Sequence, residues 1–559
     1  MNTSQILKGK AVILLCLFVF LINLVFSVFF RLNENSVKYK TILEGNDAKG
    51  YYEYLPWLLN NKDINYANDY SYEVGEKRML KYPYGVALLQ APFYAMAKVF
   101  STDANAANNL NYTYSFFISL GASIFIALAC MFIVKMLNTL EVTNRTKCLA
   151  IVVIYFGTNL FHYCIMEPMM SHVYTFFAVA MFLYAFVNFK NHKTTKYLSL
   201  FYLSVFLIVA IRPFNVLIIL PFIGYLFYSN RNFSFLIKVF FVIGLSIFIQ
   251  LLLWRLQAGA WVLSTYNGEG FNWTNPQLLN VLVSFRKGLF IYSPVLVLSI
   301  LGLVIAIKKQ KKYSVLLVST LLVFTFIISC WWHWPFGDSF GHRAFIDVYP
   351  LLIIGIVYLI ENTKTVLYKG ILYGFITLCI LLNVIQTWQY NHGIILAEYM
   401  TFEKYKYEFL YVDEHSKNNL GGINDIQPFG KNFKTVQDTM PLVNFDFNDY
   451  SKPYAFKNAF ASKNIFLEVS FTKHETKPNQ SNLSKMFISM QDKSRRVIYE
   501  TAFLINETPN DCSEINTKRY NYQIKLPTIT NCDSLKLFFT NPQRKKFLLD
   551  DIVLNYKLY

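Results

Sequence analysis

Long, nearly uninterrupted apolar runs decide what this chain can fold into. A hydrocarbon core of about 30 Å takes roughly 20 apolar residues to cross as a helix. Eleven segments reach or approach that length, near 11–30, 112–134, 148–166, 170–188, 198–211, 213–228, 236–254, 289–307, 313–331, 344–361 and 370–388. Arg212-Pro213 divides what would otherwise be one long apolar run, so the short spans on either side are either separate or a kinked pair. Only 15% of the 559 residues are charged, against about 25% in soluble domains. That excludes a disordered, collagen-like or ordinary cytosolic chain. The predicted fold class is an α-helical polytopic membrane protein of about eleven transmembrane helices with a C-terminal extracytoplasmic β-sandwich.

The net charge of +18 by itself would suggest nucleic acid. Its distribution argues otherwise: residues 1–388 hold 30 lysines and arginines against 15 acids, while 389–559 hold 22 against 19. The excess sits among the spans, where orientation is set by basic residues in short loops. With the N-terminus inside, the inner turns collect sixteen lysines and arginines, Lys308, Lys309, Lys311 and Lys312 among them, and only two acids, Glu141 and Glu361. Eleven spans then put the tail from 389 outside. The first span follows Lys8 and Lys10, has no small-residue cleavage site and ends at Arg31, as an uncleaved anchor would. Six cysteines lie in spans as small apolar fillers without metal-ligand spacing. Cys512 and Cys532, in the tail, are either a disulfide or two free thiols.

Chemistry is expected on the outer face, because the inner turns are short and almost purely basic. Charged groups at span ends are costly in lipid and usually functional. In the first outer loop (31–111), a helix beginning at Asp47 would lie along the interface with Tyr51, Tyr54, Leu55 and Leu58 on one face. Asp47 there is either a helix-start acid or a working carboxylate. Lys81-Tyr82-Pro83-Tyr84-Gly85 follows, then an apolar run from Val86 to Phe100 interrupted by Pro92, read as a re-entrant or interface-lying helix pair. Glu167-Pro168 turns between spans three and four, ahead of His172; Glu167 caps the next helix or faces a cavity. Arg212 snorkels to headgroups or projects inward. Before span ten runs Trp331-Trp332-His333-Trp334-Pro335-Phe336-Gly337-Asp338-Ser339-Phe340-Gly341-His342-Arg343. Such tryptophans form an aromatic belt or stack on a sugar's apolar face, and Arg343 suits phosphate oxygens.

In this order, these pieces resemble the integral-membrane GT-C glycosyltransferase superfamily, which includes protein O-mannosyltransferases and the aminoarabinose transferases acting on lipid A. The resemblance covers about 1–390 and rests on Asp47, the Lys81–Gly85 segment, Glu167-Pro168, Arg212-Pro213 and Trp334 through Arg343. The family pattern usually has two prolines after the lysine, where this chain has Tyr82 and Pro83. The resemblance implies a sugar on polyprenyl phosphate arriving through the bilayer and a protein, lipid or glycan acceptor arriving from outside. It implies Asp47 as the base in an inverting transfer and Glu167 as a positioning acid. Lys81, Arg343 and Arg212 would meet the donor phosphate, and Tyr51, His172, Trp332, Trp334, Asp338 and His342 would bind substrate. His172 and His342 would add hydrogen bonds or, with Asp47 and Glu167, bind a divalent cation, although no compact ligand spacing supports a metal.

Residues 391–453 are expected to be a linker or interfacial segment. From 454 the pattern becomes β, with strands at 465–471, 485–490, 496–500, 520–526, 534–539 and 547–554 forming a jelly-roll-like sandwich, either a carbohydrate-binding module or a structural cap. The rival functions are a transporter or flippase, which would place charge near the bilayer midplane, and a ligase transferring a whole lipid-linked glycan. A composition rich in Asn, Lys, Ile, Phe and Tyr points to an AT-rich genome, and a bacterial inner membrane is the expected location.

Overall fold

The structure is a computed structural model. It describes residues 3–30, 46–60, 71–101, 112–265, 269–397, 400, 402–412, 436–445, 450–456, 465–475, 484–505, 517–526, 532–541 and 546–558. The chain divides into two compact units, Met1–Val283 with Lys287–Val384, and Ser284–Arg286 with Ile385–Tyr559.

The first unit is helical. Its elements are α1 (Thr3–Phe30), α2 (Asn46–Tyr52), α3 (Tyr54–Asn60), the hairpin β1 (Ser71–Val74) and β2 (Lys77–Leu80), α4 (Gly85–Phe100), α5 (Tyr112–Thr139), α6 (Asn144–Phe156), α7 (Leu160–Ile165), α8 (Ser171–His192), α9 (Thr195–Ile211), α10 (Val216–Asn230), α11 (Phe233–Ala258), α12 (Leu278–Val283), α13 (Leu289–Tyr292), α14 (Leu296–Lys308), α15 (Ser314–Ser329), α16 (Tyr349–Asn362) and α17 (Val366–Asn391). Among the described residues, seven helical segments are long and apolar enough to cross a membrane, and α4, α9, α14 and α15 are apolar but shorter.

Each predicted span coincides with helix, but not all are continuous. The span near 148–166 breaks into α6 and α7 at Gly157-Thr158-Asn159. That near 289–307 breaks between α13 and α14 at Ser293-Pro294-Val295, where proline has no N–H for the helix ladder. At Arg212 the chain leaves helix (φ −149°) and turns through a 3-10 segment, Pro213–Asn215, so α9 and α10 are separate helices. The expected interfacial helix from Asp47 is interrupted at Glu53; Tyr51, Tyr54 and Leu55 are buried, whereas Leu58 is 52% exposed. Instead of a helix pair, 85–100 form one helix with Pro92 inside it. Burial of Val86, Ala87, Phe93, Tyr94 and Ala97 outweighs the proline's lost hydrogen bond. The β1–β2 hairpin was not anticipated.

Side-chain contacts sort the loops into two sets. Predicted inner turns touch one another: Thr143 Oγ1 donates to Glu361 (2.9 Å), Lys309 to Asn362 (2.5 Å) and Lys312 to Asn191 (3.1 Å). Predicted outer loops instead converge on a shared cavity, described below.

In the second unit, helix α18 (Phe402–Tyr407) precedes β3 (Val436–Thr439), β4 (Val443–Phe445), β5 (Tyr454–Ala455), β6 (Ile465–Glu475), β7 (Lys485–Gln491), β8 (Val497–Leu504), β9 (Thr517–Leu526), β10 (Ser534–Thr540) and β11 (Phe547–Leu558). Two antiparallel sheets, β3-β11-β6-β9 and β5-β10-β7-β8, have the strand order of a jelly roll, with β4 also on β11. Alternation dictates the core: Ile465, Leu467, Val469 and Phe471 on β6 face Leu535, Leu537 and Phe539 on β10 within one buried cluster. All six predicted strands are present. The predicted linker 391–453 is corrected, because β3 and β4 fall inside it. Both are too short to show a period-2 pattern, and pairing with β11 makes them strands. The pairing of Cys512 with Cys532 lies outside the described residues.

Candidate functional site

The local fold first fixes the segment that carries Lys81. Gly85 packs so tightly on the end of α9 that a Cβ there would sit 2.3 Å from the Ala210 carbonyl carbon, which brings 81–85 against Arg212. Side chains from α11 and its loop then clamp the backbone. Gln257 accepts from the Leu80 N–H (2.9 Å), Trp254 donates to the Leu80 carbonyl (2.8 Å), Thr265 donates to that of Lys81 (2.9 Å), and Gln250 accepts from the Tyr84 N–H (2.9 Å). From the other side, Tyr54 donates to the Tyr82 carbonyl (2.8 Å) and itself accepts from Gln250 (2.9 Å). This stretch lacks a sheet or helix ladder, so its peptide groups are satisfied by side chains.

Above it lies a cavity of about 590 Å³. Asp47 and Tyr51 from α2, Lys81 and Tyr82, Arg212 to Asn215, Glu269 to Phe271, Trp331 to His333, Arg343 and Asp347 contribute to its wall, while Phe324 and Ile328 of α15 give it an apolar side. Backbone bonds from Trp332 N–H to the Gly270 carbonyl (2.9 Å) and from Asn272 N–H to that of Cys330 (2.6 Å) hold the Glu269 loop against the tryptophan loop.

Among the described residues three cations line the cavity, and each is met by a carboxylate. Arg343 donates to Asp47 Oδ2 (2.7 Å), Lys81 to Glu269 (2.7 Å) and Arg212 to Asp347 Oδ2 (2.8 Å). Asp347 is 1% exposed and also has Asn215 (2.9 Å) and His172 (3.3 Å) as partners, which makes it a buried hub. The other oxygen of Asp47, Oδ1, accepts from the Tyr82 hydroxyl at 2.5 Å. Burial pushes the Asp47 pKa up, but Arg343, the Tyr82 bond and Lys81 outweigh it and hold the carboxyl below its ordinary range. Asp47 is therefore an anion at neutral pH, with both oxygens engaged.

Of the residues singled out from the sequence, Asp47, Tyr51, Lys81, Arg212, Trp332 and Arg343 line this one cavity. The others do not. Glu167 is half-buried in the α7–α8 turn, outside the lining. His172 lies outside the lining and meets the site through Asp347. His342 is buried between the rings of Phe336 and Phe345, and burial, with Lys287 nearby, pushes its pKa down to about 3. Trp334 packs on the helical core and Asp338 is exposed. Among the described residues no group of three or more His, Cys, Asp or Glu gathers as a metal would require. The imagined set of His172, His342, Asp47 and Glu167 is not assembled.

Sequence reading missed Tyr82, Glu269 and Asp347. Asp347 carried a usable signal, an acid inside an apolar span. Glu269 carried none, since only the pairing of its loop with 330–332 places it.

No family model matches the chain, and no curated protein matches it. Among solved structures it is similar to the archaeal oligosaccharyltransferase AglB from Archaeoglobus fulgidus, solved in complex with an inhibitory peptide and a dolichol-phosphate, at 13% identity and a TM-score of 0.43. The match covers 75% of this chain, which spans 61% of that protein's length.

Proposed function

We propose that the chain is a membrane glycosyltransferase that moves one sugar from a polyprenyl-phosphate donor to an acceptor on the extracytoplasmic side, inverting the anomeric centre. The observation that carries this reading is the convergence of Asp47, Lys81, Arg212 and Arg343 from four separate segments on one cavity. Displacement at an anomeric carbon needs a base for the acceptor hydroxyl and cations for the departing phosphate. Asp47 is the base. Lys81 and Arg343 receive the phosphate, displacing Glu269 and Asp47 from them. Arg212, held from behind by Asp347, adds positive charge from the far wall. Tyr51 and Trp332 offer ring faces to the sugar, and Phe214, Phe324 and Ile328 offer an apolar side to the polyprenyl chain. Glu167, Trp334, Asp338 and His342 act outside the cavity, and His172 acts through Asp347.

The cavity volume supports one sugar and its phosphate over a long glycan, since sites for small molecules run to about 300–1,000 Å³. A ligase would use the same chemistry on a larger donor; a flippase would use none of it. We place the N-terminus in the cytoplasm and the sandwich outside, in a bacterial inner membrane. Purified protein in vesicles, given polyprenyl phosphate carrying a radiolabelled monosaccharide and an envelope extract, should move label to the extract and release the lipid phosphate. Label that crosses the bilayer still attached to its lipid would indicate a flippase.

A further inference from the structure

Tyr82 stands out among the residues around Asp47 because no step of the proposed reaction uses it. Its placement is nonetheless over-determined. Tyr54 holds its carbonyl, the clamps on Lys81 and Tyr84 fix the backbone on either side of it, and its ring packs on that of Tyr51 at 4.9 Å between centroids. The hydroxyl so positioned reaches Asp47 Oδ1, while Oδ2 is held by Arg343 across 2.7 Å. The two bonds differ in kind. Tyr82 sits on a clamped backbone. Arg343 has a charge that a phosphate can also satisfy, in the bidentate geometry that guanidinium favours.

We propose that Tyr82 is the positioning residue for Asp47, keeping Oδ1 fixed while Oδ2 exchanges Arg343 for the acceptor hydroxyl as Arg343 moves to the donor phosphate. The inference rests on the transferase reading. In the step it serves, the acceptor O–H proton passes to Oδ2 and the acceptor oxygen bonds to the anomeric carbon. The carbon–oxygen bond to phosphate breaks, and its electron pair leaves with the polyprenyl phosphate, whose charge Arg343 and Lys81 meet. A carboxylate tethered by one oxygen presents the other at a fixed angle, and misplacing a reacting group by about 1 Å costs up to about 100-fold in rate.

The test is Tyr82→Phe, which keeps the ring against Tyr51 and removes only the hydroxyl. The kcat should fall about 10- to 100-fold with little change in the donor KM. Losing a bond to the charged form favours the neutral one, so the acid limb of the rate profile should move to higher pH. The groups facing Asp47 that bear on that limb are Arg343, Lys81 with its partner Glu269, and Tyr51. Binding of the sugar-free polyprenyl phosphate, read by thermal shift, should match wild type; lost binding would make Tyr82 a donor ligand and overturn the inference. A wild-type kcat and pH limb would overturn it as well. The infrared band of the Asp47 carboxylate, assigned by its loss in Asp47→Asn and titrated in wild type and Tyr82→Phe, needs no turnover. A shifted titration in a protein that transfers no sugar would sink the transferase reading and leave the tether standing. Active wild type, dead Asp47→Asn and an unshifted Tyr82→Phe would sink the tether alone.

Discussion

A carboxylate that accepts from Arg343 and Tyr82 at once is stabilised as an anion, which sets the pH behaviour of the site. Because the Asp47 pKa is lowered on folding, the stability it contributes is present above the unfolded carboxylate value and is lost as pH falls through the lower, folded value. The kcat/KM profile, which reports the free enzyme, should stay flat through mildly acidic pH, with its acid limb below the ordinary carboxylate range. Arg343→Ala should move that limb upward. It should also raise the donor KM about tenfold or more, the loss of a hydrogen bond to a charged group worth about 1.5–3 kcal/mol. An unchanged limb would remove Arg343 from Asp47, and an unchanged KM would remove it from the phosphate. At Asp347 the expected effect is on stability, because Asp347→Ala strips Arg212 and Asn215 of their shared partner. Breaking a buried pair costs about 3–5 kcal/mol, and the low end applies to an arginine 22% exposed to the cavity. Thermal unfolding in detergent reads it. Legibility in the sequence followed solvation: Asp47, Lys81, Arg212 and Arg343 stood out as charges beside apolar spans. Tyr82 did not, because a tyrosine at an interface has an ordinary explanation of its own.

Helix ends, more than helix middles, decide where the site's residues lie. The break after α9 releases Arg212 from the helix, and the 3-10 turn Arg343–Val348 ahead of α16 brings Arg343 and Asp347 onto the cavity wall. Pro213 gave one of these breaks away in the sequence; Pro350, in the first turn of α16, is the local sign of the second. Interruptions at Gly157–Asn159 and Ser293-Pro294 escaped notice because their flanks are apolar enough to imitate continuous spans. Tight packing supports these ends. A Cβ on Gly302 would lie 1.8 Å from the Gly355 carbonyl oxygen, and one on Gly355 would lie 2.2 Å from that of Ser299, so α14 and α16 touch backbone to backbone. Gly355→Ala should therefore destabilise the helical unit by about 1–3 kcal/mol or more, as a lowered melting temperature with wild-type donor affinity in the folded fraction. Gln250 ties α11 both to Tyr84 and to Tyr54. Gln250→Ala should loosen the Lys81–Gly85 segment and lower kcat before it lowers stability. An unaffected kcat would show that the segment is held without it.

Over the whole chain, the +18 net charge is expected to act chiefly as a topological signal. The basic turns predicted inside contact one another through pairs such as Thr143–Glu361 and Lys312–Asn191, whereas the loops predicted outside gather around Asp47. Odd span count and basic asymmetry predict two loop sets from sequence, and which set faces outward is a matter for labelling. With single cysteines introduced at Lys309 and at exposed Trp273 in a cysteine-free background, impermeant thiol reagent applied to intact cells should label the second and spare the first. The reverse would invert the proposed orientation. The jelly roll was legible because its long strands alternate faithfully; its first two strands were hidden by their brevity. The most direct measurement on the account's central claim is release of lipid phosphate and transfer of label from a polyprenyl-phosphate monosaccharide by the purified protein, with wild type and Asp47→Asn side by side. The account predicts transfer by wild type and none by Asp47→Asn, with donor binding intact in both. Transfer by Asp47→Asn at the wild-type rate would contradict it.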